Sequence, residues 1–331
     1  MSGEERTVRV AVAGLGYWGP NIARNMAAIG GCEVTWLCDA SEQARERIAG
    51  SFPSARTTGD LADVLADESV DAVALATPVP THAELAEAVL DAGKHCFVEK
   101  PLATNAADAE RVAQAAERAG RILMVGHLLE YHPAVTRLKE LIDADELGEL
   151  YYIYGNRLNL GKLRADENAL WSLGAHDVSV ALHLIGEEPV ECFAQGASYV
   201  RDGVQDVVFC FMRFPSGVVS HLHLSWLDPH KERRITVVGA KRMASFDDML
   251  IEGKLTVYDK GFDEDTTTWG EYIARTGDIF SPRIPNREPL RLECEHFVEC
   301  VRTGAAPRSD GASGLRVVRV LQALQESLDR G

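Results

Sequence analysis

The chain's clearest chemical signal lies in three glycines. Gly14, Gly16 and Gly19, with Tyr17 and Trp18 between the last two, spell GLGYWG after the β-branched run TVRVAVA and before a helical pattern. At a strand-to-helix turn, the first glycine permits the tight bend, the second lets a pyrophosphate approach the backbone, and the third lets helix and strand pack closely. The helix N-terminus adds free N–H groups and positive potential for phosphates. The next strand, VTWLCD, ends in Asp39, at about the ~20-residue spacing of a dinucleotide fingerprint. A carboxylate there accepts hydrogen bonds from ribose hydroxyls and repels a 2′-phosphate, which favours NAD over NADP. An ordinary tight turn and a helix-start charge are the alternative readings of these residues.

A second group is cationic. Arg157, Lys162 and Arg164 share one short stretch with Asn159 and Asn168, and Trp171 follows. Guanidinium and ammonium groups so placed can meet a diphosphate or a carboxylate; a solvated basic loop is the competing reading. Asn168 and Trp171 are candidate substrate contacts, with core packing the alternative for the tryptophan. Cys294, His296 and Cys300 in ECEHFVEC look metal-like at first sight. On a helix at ~100° per residue the first two point in nearly opposite directions, and the spacing is not that of a zinc site. No metal is expected.

The elements that carry these groups alternate strictly at first. Up to about residue 125, apolar strands (VTWLCD, DAVALAT, KHCFVEK, RILMVGH) alternate with helices such as SEQARERIAG, which Ser41 can cap, and NAADAERVAQAAERAG, ended by Gly120. That grammar gives an α/β fold with a parallel sheet covered on both faces. Beyond about residue 150 the pattern becomes period-2. DVVFCFMRFPSGVVSHLHLSW reads as two strands joined at Pro215-Ser216-Gly217, and RRITVVGAKRMASF has the same form around Gly239. The expected organisation is a dinucleotide-binding domain over 1–125 and a substrate-binding and oligomerisation domain over 126–331, α+β with an open, mostly antiparallel sheet, the last helix able to pack back on the first domain. The polar segment 259–289 reads as a long loop.

Bulk properties narrow the function class. The 331 residues carry a net charge of −16 with 46% apolar residues, which argues against a nucleic-acid or anionic-membrane binder. No run reaches the ~18–20 apolar residues of a membrane span, and the N-terminus lacks a secretory pattern. Seven scattered cysteines without a CxxC fit reduced thiols. A cytoplasmic enzyme acting on a small molecule is expected.

Residues 76–101, ATPVPTHAELAEAVLDAGKHCFVEKP, then carry a resemblance. With GLGYWG, TPxxxH, GKHxxxEKP and the GxH element Gly174-Ala175-His176 in order, nearly the whole chain resembles the glucose–fructose oxidoreductase / inositol dehydrogenase / rhizopine-catabolism (Gfo/Idh/MocA) family. The resemblance implies a Rossmann domain followed by an open-sheet domain. It implies catalysis by Lys100 beside nicotinamide and substrate hydroxyl, Glu99 near the nicotinamide ribose, and Thr77, Pro78 and His82 lining the cofactor groove. His127, with Tyr131 and His132 behind it, falls where family members approach cofactor and substrate. His176 is the second catalytic candidate. Many members carry aspartates four residues before and three after this histidine; here those places hold Ser172 and Ser179, while Asp177 follows His176 directly. The Asp-to-His relay therefore does not carry over, and Ser172 counts among the substrate contacts.

GHLLEYHPAV, YYIYGNRLNLGKLRADENALWSLGAHDVS and the tail PLRLECEHFVECVRTGAAPRSDG resemble members that oxidise C3 of UDP-N-acetylglucosamine or its glucuronate. In such a reaction His176 would accept the hydroxyl proton while Lys100 hydrogen-bonds the same oxygen, and the two roles could be exchanged. An inositol or free-sugar dehydrogenase, an NADPH-dependent sugar 3-ketoreductase and a non-catalytic NAD sensor are the alternatives. Family members are often dimers or tetramers, so a homo-oligomer is expected.

Overall fold

The computed structural model describes residues 6–161, 163, 167–264 and 272–330. The chain divides into two compact units. One comprises the residues up to Tyr131 together with Arg287–Arg319; the other comprises His132–Asn286 and the chain from Val320 onward. The boundary read from the sequence falls just before Tyr131, and the first unit also takes back residues 287–319.

The first unit is built on six parallel strands: β1 (Val8–Ala13), β2 (Cys32–Cys38), β3 (Arg56–Thr58), β4 (Ala72–Leu75), β5 (His95–Glu99) and β6 (Leu123–Gly126), in the order β3-β2-β1-β4-β5-β6. Between them run α1 (Gly19–Ala27), α2 (Glu42–Ala49), α3 (Leu61–Ala66), α4 (His82–Asp91) and α5 (Ala106–Ala119). Local chemistry sets the helix ends. The side chains of Ser41, Asp60 and Asn105 accept from the N–H groups of Ala44, Ala62 and Asp108, satisfying donors that a helix start leaves open. Gly120 closes α5 in the left-handed conformation at φ +59°. β4 and β6 are buried at every residue, as a sheet covered on both faces requires. Val10, Val12, Phe97 and Met124 meet Leu290, Cys294, Phe297 and Val298 of α8 (Pro289–Thr303) in the core.

The second unit carries eight strands in the order β14-β13-β12-β11-β7-β10-β9-β8. These are β7 (Leu150–Leu160), β8 (Glu191–Ala197), β9 (Val207–Arg213), β10 (Val219–Ser225), β11 (Leu227–Gly239), β12 (Met243–Asp247), β13 (Leu255–Glu264) and β14 (Tyr272–Phe280). All neighbours are antiparallel except β7 and β10. Part of the stretch read from sequence as a loop over 259–289 is strand: β13 runs on to Glu264 and pairs with β14 over Tyr272–Phe280. Helices α6 (Pro133–Asp143) and α7 (Ala175–Ile185) pack on this unit, α6 against β12 and α7 against β7. Helix α9 (Gly311–Leu328) follows α8. No helix among the described residues is long and apolar enough to cross a membrane.

Candidate active site

The strand order reverses at β1, whose neighbours are β2 and β4. In open α/β sheets the crevice outside the strand carboxyl ends at such a point binds ligands. The glycine turn occupies it. Gly14 has φ +88°, and a methyl group there would fall 2.5 Å from the Ala76 carbonyl. A methyl on Gly19 would fall 1.8 Å from the Gly14 carbonyl oxygen, whereas Gly16 has open space around it. Tyr17 is exposed, and Trp18 is half-buried against the core. Both polar ends of Leu15 are held. Its N–H donates to Asp39 Oδ2 at 2.6 Å, and its carbonyl accepts from Arg47 Nη2 at 2.7 Å. Asp39 Oδ1 also accepts from the Ser41 N–H at 2.8 Å. Asp39 therefore does what the helix-start reading asks and also braces the glycine turn. Arg47 was not singled out from the sequence, because nothing in α2's spacing marks its contact with residue 15.

Two further strand ends border the same crevice. After β4, Thr77 lies half-buried and Pro78 exposed. His82, 1% exposed, places Nε2 2.9 Å from the Thr77 carbonyl oxygen and Nδ1 2.8 Å from that of Pro101. It thus ties the loop after β4 to the residue that follows Lys100; burial holds its imidazole below the ordinary value. The Lys100–Pro101 bond is cis. Glu99 ends β5 opposite Gly126 at the end of β6, and a methyl on Gly126 would approach its carboxylate to 3.3 Å. Burial raises the Glu99 carboxyl to about 7, against the opposing pull of the Lys100 charge and N–H. His127 follows directly. Burial, helped by the Lys100 charge, lowers its imidazole to about 3, so the ring is neutral.

These residues fit a dinucleotide. The turn at Gly14 and Gly19 leaves no room for a Cβ, and Gly16 presents bare backbone to the pyrophosphate position. His127 is 1% exposed, yet neither ring nitrogen has a hydrogen-bond partner among the described residues. A neutral imidazole so placed offers one donor and one acceptor, which a ribose hydroxyl or a carboxamide can satisfy.

In the second unit the cationic group separates. Arg157, on β7, is 8% exposed and paired with Asp177 through Nε–Oδ2 and through Nη2–Oδ1 at 3.3 Å. It is not part of a solvated loop. Asn159 is half-buried and folds back towards Gly161. Lys162 and Arg164 lie outside the described residues. Asn168 is committed within the protein: its Oδ1 accepts from the Trp171 N–H at 3.1 Å, and its amide donates to Gln205 and Gln325 at 2.9 and 2.8 Å. Its bond to the Trp171 N–H ties it to a single π-helical turn, Leu170–Gly174, which holds Trp171 and Ser172, both half-buried, and leads straight into α7. His176 stands half-buried in the first turn of α7, and the Ser179 hydroxyl donates to its carbonyl oxygen at 3.0 Å.

Two buried carboxyls whose titration burial raises escaped the sequence reading. Glu130 and Glu293 are 2% and 0% exposed. Burial lifts Glu130 to about 8, opposed by Arg308 and Arg316, and lifts Glu293 well above the carboxylate range. Glu293 occupies the buried stripe of α8 with Leu290, Cys294 and Phe297. A carboxyl at that period was the available signal. Of the cysteine–histidine group, Cys294 is in the core, while Cys300 Sγ lies 3.5 Å from His296 Nε2.

Residues 8–127 match the Gfo/Idh/MocA oxidoreductase family, NAD-binding Rossmann fold, and residues 135–245 match the Gfo/Idh/MocA C-terminal domain. The UDP-N-acetylglucosamine 3-dehydrogenase of Acidithiobacillus ferrooxidans is 30% identical over 317 residues, 94% of each chain. Its solved structure superimposes with a TM-score of 0.83 over 98% of both chains. The NAD(+)-dependent scyllo-inositol 2-dehydrogenase of Bacillus subtilis is 26% identical over 92% of this chain and 89% of its own. GenD2 from gentamicin A biosynthesis, solved in complex with NAD, is 25% identical with a TM-score of 0.82 over 99% of this chain and 96% of its own.

Proposed function

Since the chain belongs to the Gfo/Idh/MocA oxidoreductase family and its Rossmann unit binds NAD, we propose that it oxidises a secondary hydroxyl, at C3, of a nucleotide-linked N-acetyl sugar. The observation that carries this reading is the end-to-end similarity to a UDP-N-acetylglucosamine 3-dehydrogenase. The serines at 172 and 179 add support, because they replace the aspartates of the inositol-type relay. The competing substrate class is an inositol, favoured by the scyllo-inositol 2-dehydrogenase among the relatives.

A bound NAD would supply the hydride acceptor; the protein orients and polarises. Gly14, Gly16, Tyr17, Trp18 and Gly19 hold the pyrophosphate at the start of α1. Asp39 receives the adenosine ribose hydroxyls with its remaining lone pairs, and its negative charge disfavours a 2′-phosphate, so NAD is preferred to NADP. Thr77, Pro78, His82, Glu99 and His127 line the nicotinamide half. Lys100 donates a hydrogen bond to the reacting sugar oxygen and stabilises negative charge as it develops there. His176 takes the hydroxyl proton. Asn159, Arg164, Trp171 and Ser172 contact the substrate. Asn168 and Arg157 support that region through the hydrogen bonds and ion pair described above. The reaction runs in the cytoplasm, in a homo-oligomer that covers the aromatic face of the eight-stranded sheet.

Deuterium at C3 of UDP-N-acetylglucosamine tests the position. The expected result is transfer of the label to the reduced cofactor, with a slowed rate. Turnover that leaves the label on the sugar would place the oxidation at another carbon.

A further inference from the structure

The alternation of β7 puts Gly155 and Arg157 on one face of the sheet, opposite Leu222 and Leu224 of β10, both buried. Helix α7 covers β7 on this face. The carboxylate of Asp177 reaches down to it. A methyl on Gly155 would stand 3.7 Å from Asp177 Oδ1 and 3.0 Å from Leu222, so the glycine keeps this space open. The carboxylate then meets the Arg157 guanidinium in a two-point contact, with side-chain exposures of 9% and 2%. Removing two charges from water offsets most of their attraction, and a well-packed apolar pair of similar volume is often as stable. Stability alone therefore does not account for the pair. What a two-point planar contact does supply is a fixed geometry.

That geometry falls one residue from His176. Neighbouring helix positions differ by ~100°, so fastening Asp177 to the sheet sets the direction of the His176 side chain. The same turn is held from two other sides. The Ser179 hydroxyl grips the His176 carbonyl oxygen, and the π-helical turn whose Trp171 N–H is held by Asn168 feeds into the first residue of α7. We infer that Asp177 is a positioning residue: clamped by the buried Arg157 of β7, it fixes the first turn of α7 and thereby orients the His176 ring. This inference rests on the proposed role of His176 as proton acceptor.

The test compares three variants with the whole enzyme, using NADH binding, melting temperature, kcat and KM. The sugar is UDP-N-acetylglucosamine, or myo-inositol should that be the one turned over. The double variant Arg157→Met/Asp177→Leu removes both charges and keeps the volume filled. It is expected to melt near the parent and bind NADH normally, while kcat falls on the order of 100-fold, as a displacement of about 1 Å at a reacting group does. Asp177→Glu keeps the charges but lengthens the tether; it is expected to fold and to lose kcat with KM for NAD unchanged. A role in stability alone would lower the melting temperature and leave the kcat of the folded enzyme intact. His176→Ala separates the two claims. Loss of turnover in His176→Ala together with parental kcat in the folded double variant and in Asp177→Glu overturns the inference and spares the reading of His176. Parental turnover in His176→Ala overturns that reading and the inference with it.

Discussion

The two sheets bury their residues differently, and that difference decides where each holds its functional groups. In the six-stranded parallel sheet β4 and β6 have no exposed residue, and β5 only a half-buried His95. With both faces covered, side chains meet a ligand only beyond the carboxyl ends. There stand Gly14 after β1, Thr77 after β4, Glu99 and Lys100 at β5, and Gly126 and His127 at β6. The eight-stranded sheet alternates. β9 reads buried at Val208, Cys210 and Met212 and exposed at Phe209, Phe211 and Arg213. Its covered face carries the Arg157–Asp177 pair. The other face displays aromatic stacks, Tyr154 on His221 at 5.3 Å and Phe209 on His223 at 4.4 Å. A sheet buried on both faces concentrates function at strand ends; one buried on a single face divides its roles between its sides.

Several substitutions sharpen or break this contrast. The largest effect is expected at a strand end. Lys100→Met should lower kcat by on the order of 10³-fold while NADH fluorescence titration still shows binding; normal turnover would remove Lys100 from the chemistry. Next is the glycine turn. Gly19→Ala forces a methyl onto the Gly14 carbonyl oxygen and should cost about 1–3 kcal/mol, read as a lower melting temperature and weaker NADH binding. On the other sheet, Phe209→Asp puts a charge on the exposed aromatic face. A substituted interface hot spot costs about 2 kcal/mol, so sedimentation should show weakened self-association with the melting curve of each unit retained. An unchanged mass would contradict the assembly proposed for that face.

A further expected effect concerns pH. Glu130 titrates at about 8 in the folded chain against an ordinary 4.5. Between these values the unfolded chain has released a proton that the folded chain keeps, so this group's contribution to stability falls as pH rises from 4.5 to 8. Glu130→Gln removes that slope. Relative to the parent, its melting temperature should be higher at pH 8, where the parent has lost this contribution, and level with it near pH 4. A shift independent of pH would show that the carboxyl does not titrate in this window.

What the sequence discloses follows the same division. The glycine turn and the residues at strand ends are legible because backbone requirements confine them to a few residue types in a short run, and strict βα alternation announces the parallel sheet. The clamp on α7 is not legible. Arg157 and Asp177 are 20 residues apart, one on a strand and one on a helix, and only the packing of α7 on β7 shows that they meet. Arg157 therefore reads from sequence as part of a basic cluster with Arg164. β14 escapes for another reason: all but one of its residues are exposed, so it has no buried face and no period-2 signal. Glu293 hides because a carboxyl on a helix reads as solvated until its phase against Leu290, Cys294 and Phe297 is counted.

The central claim is oxidation of a nucleotide-linked sugar by NAD. Its most direct test is NADH formation at 340 nm with UDP-N-acetylglucosamine, its glucuronate and myo-inositol compared side by side, at slightly alkaline pH with a ketone trap to draw the reaction forward. The expected result is a signal with a UDP-sugar and none with myo-inositol. A signal with myo-inositol alone would contradict the claim.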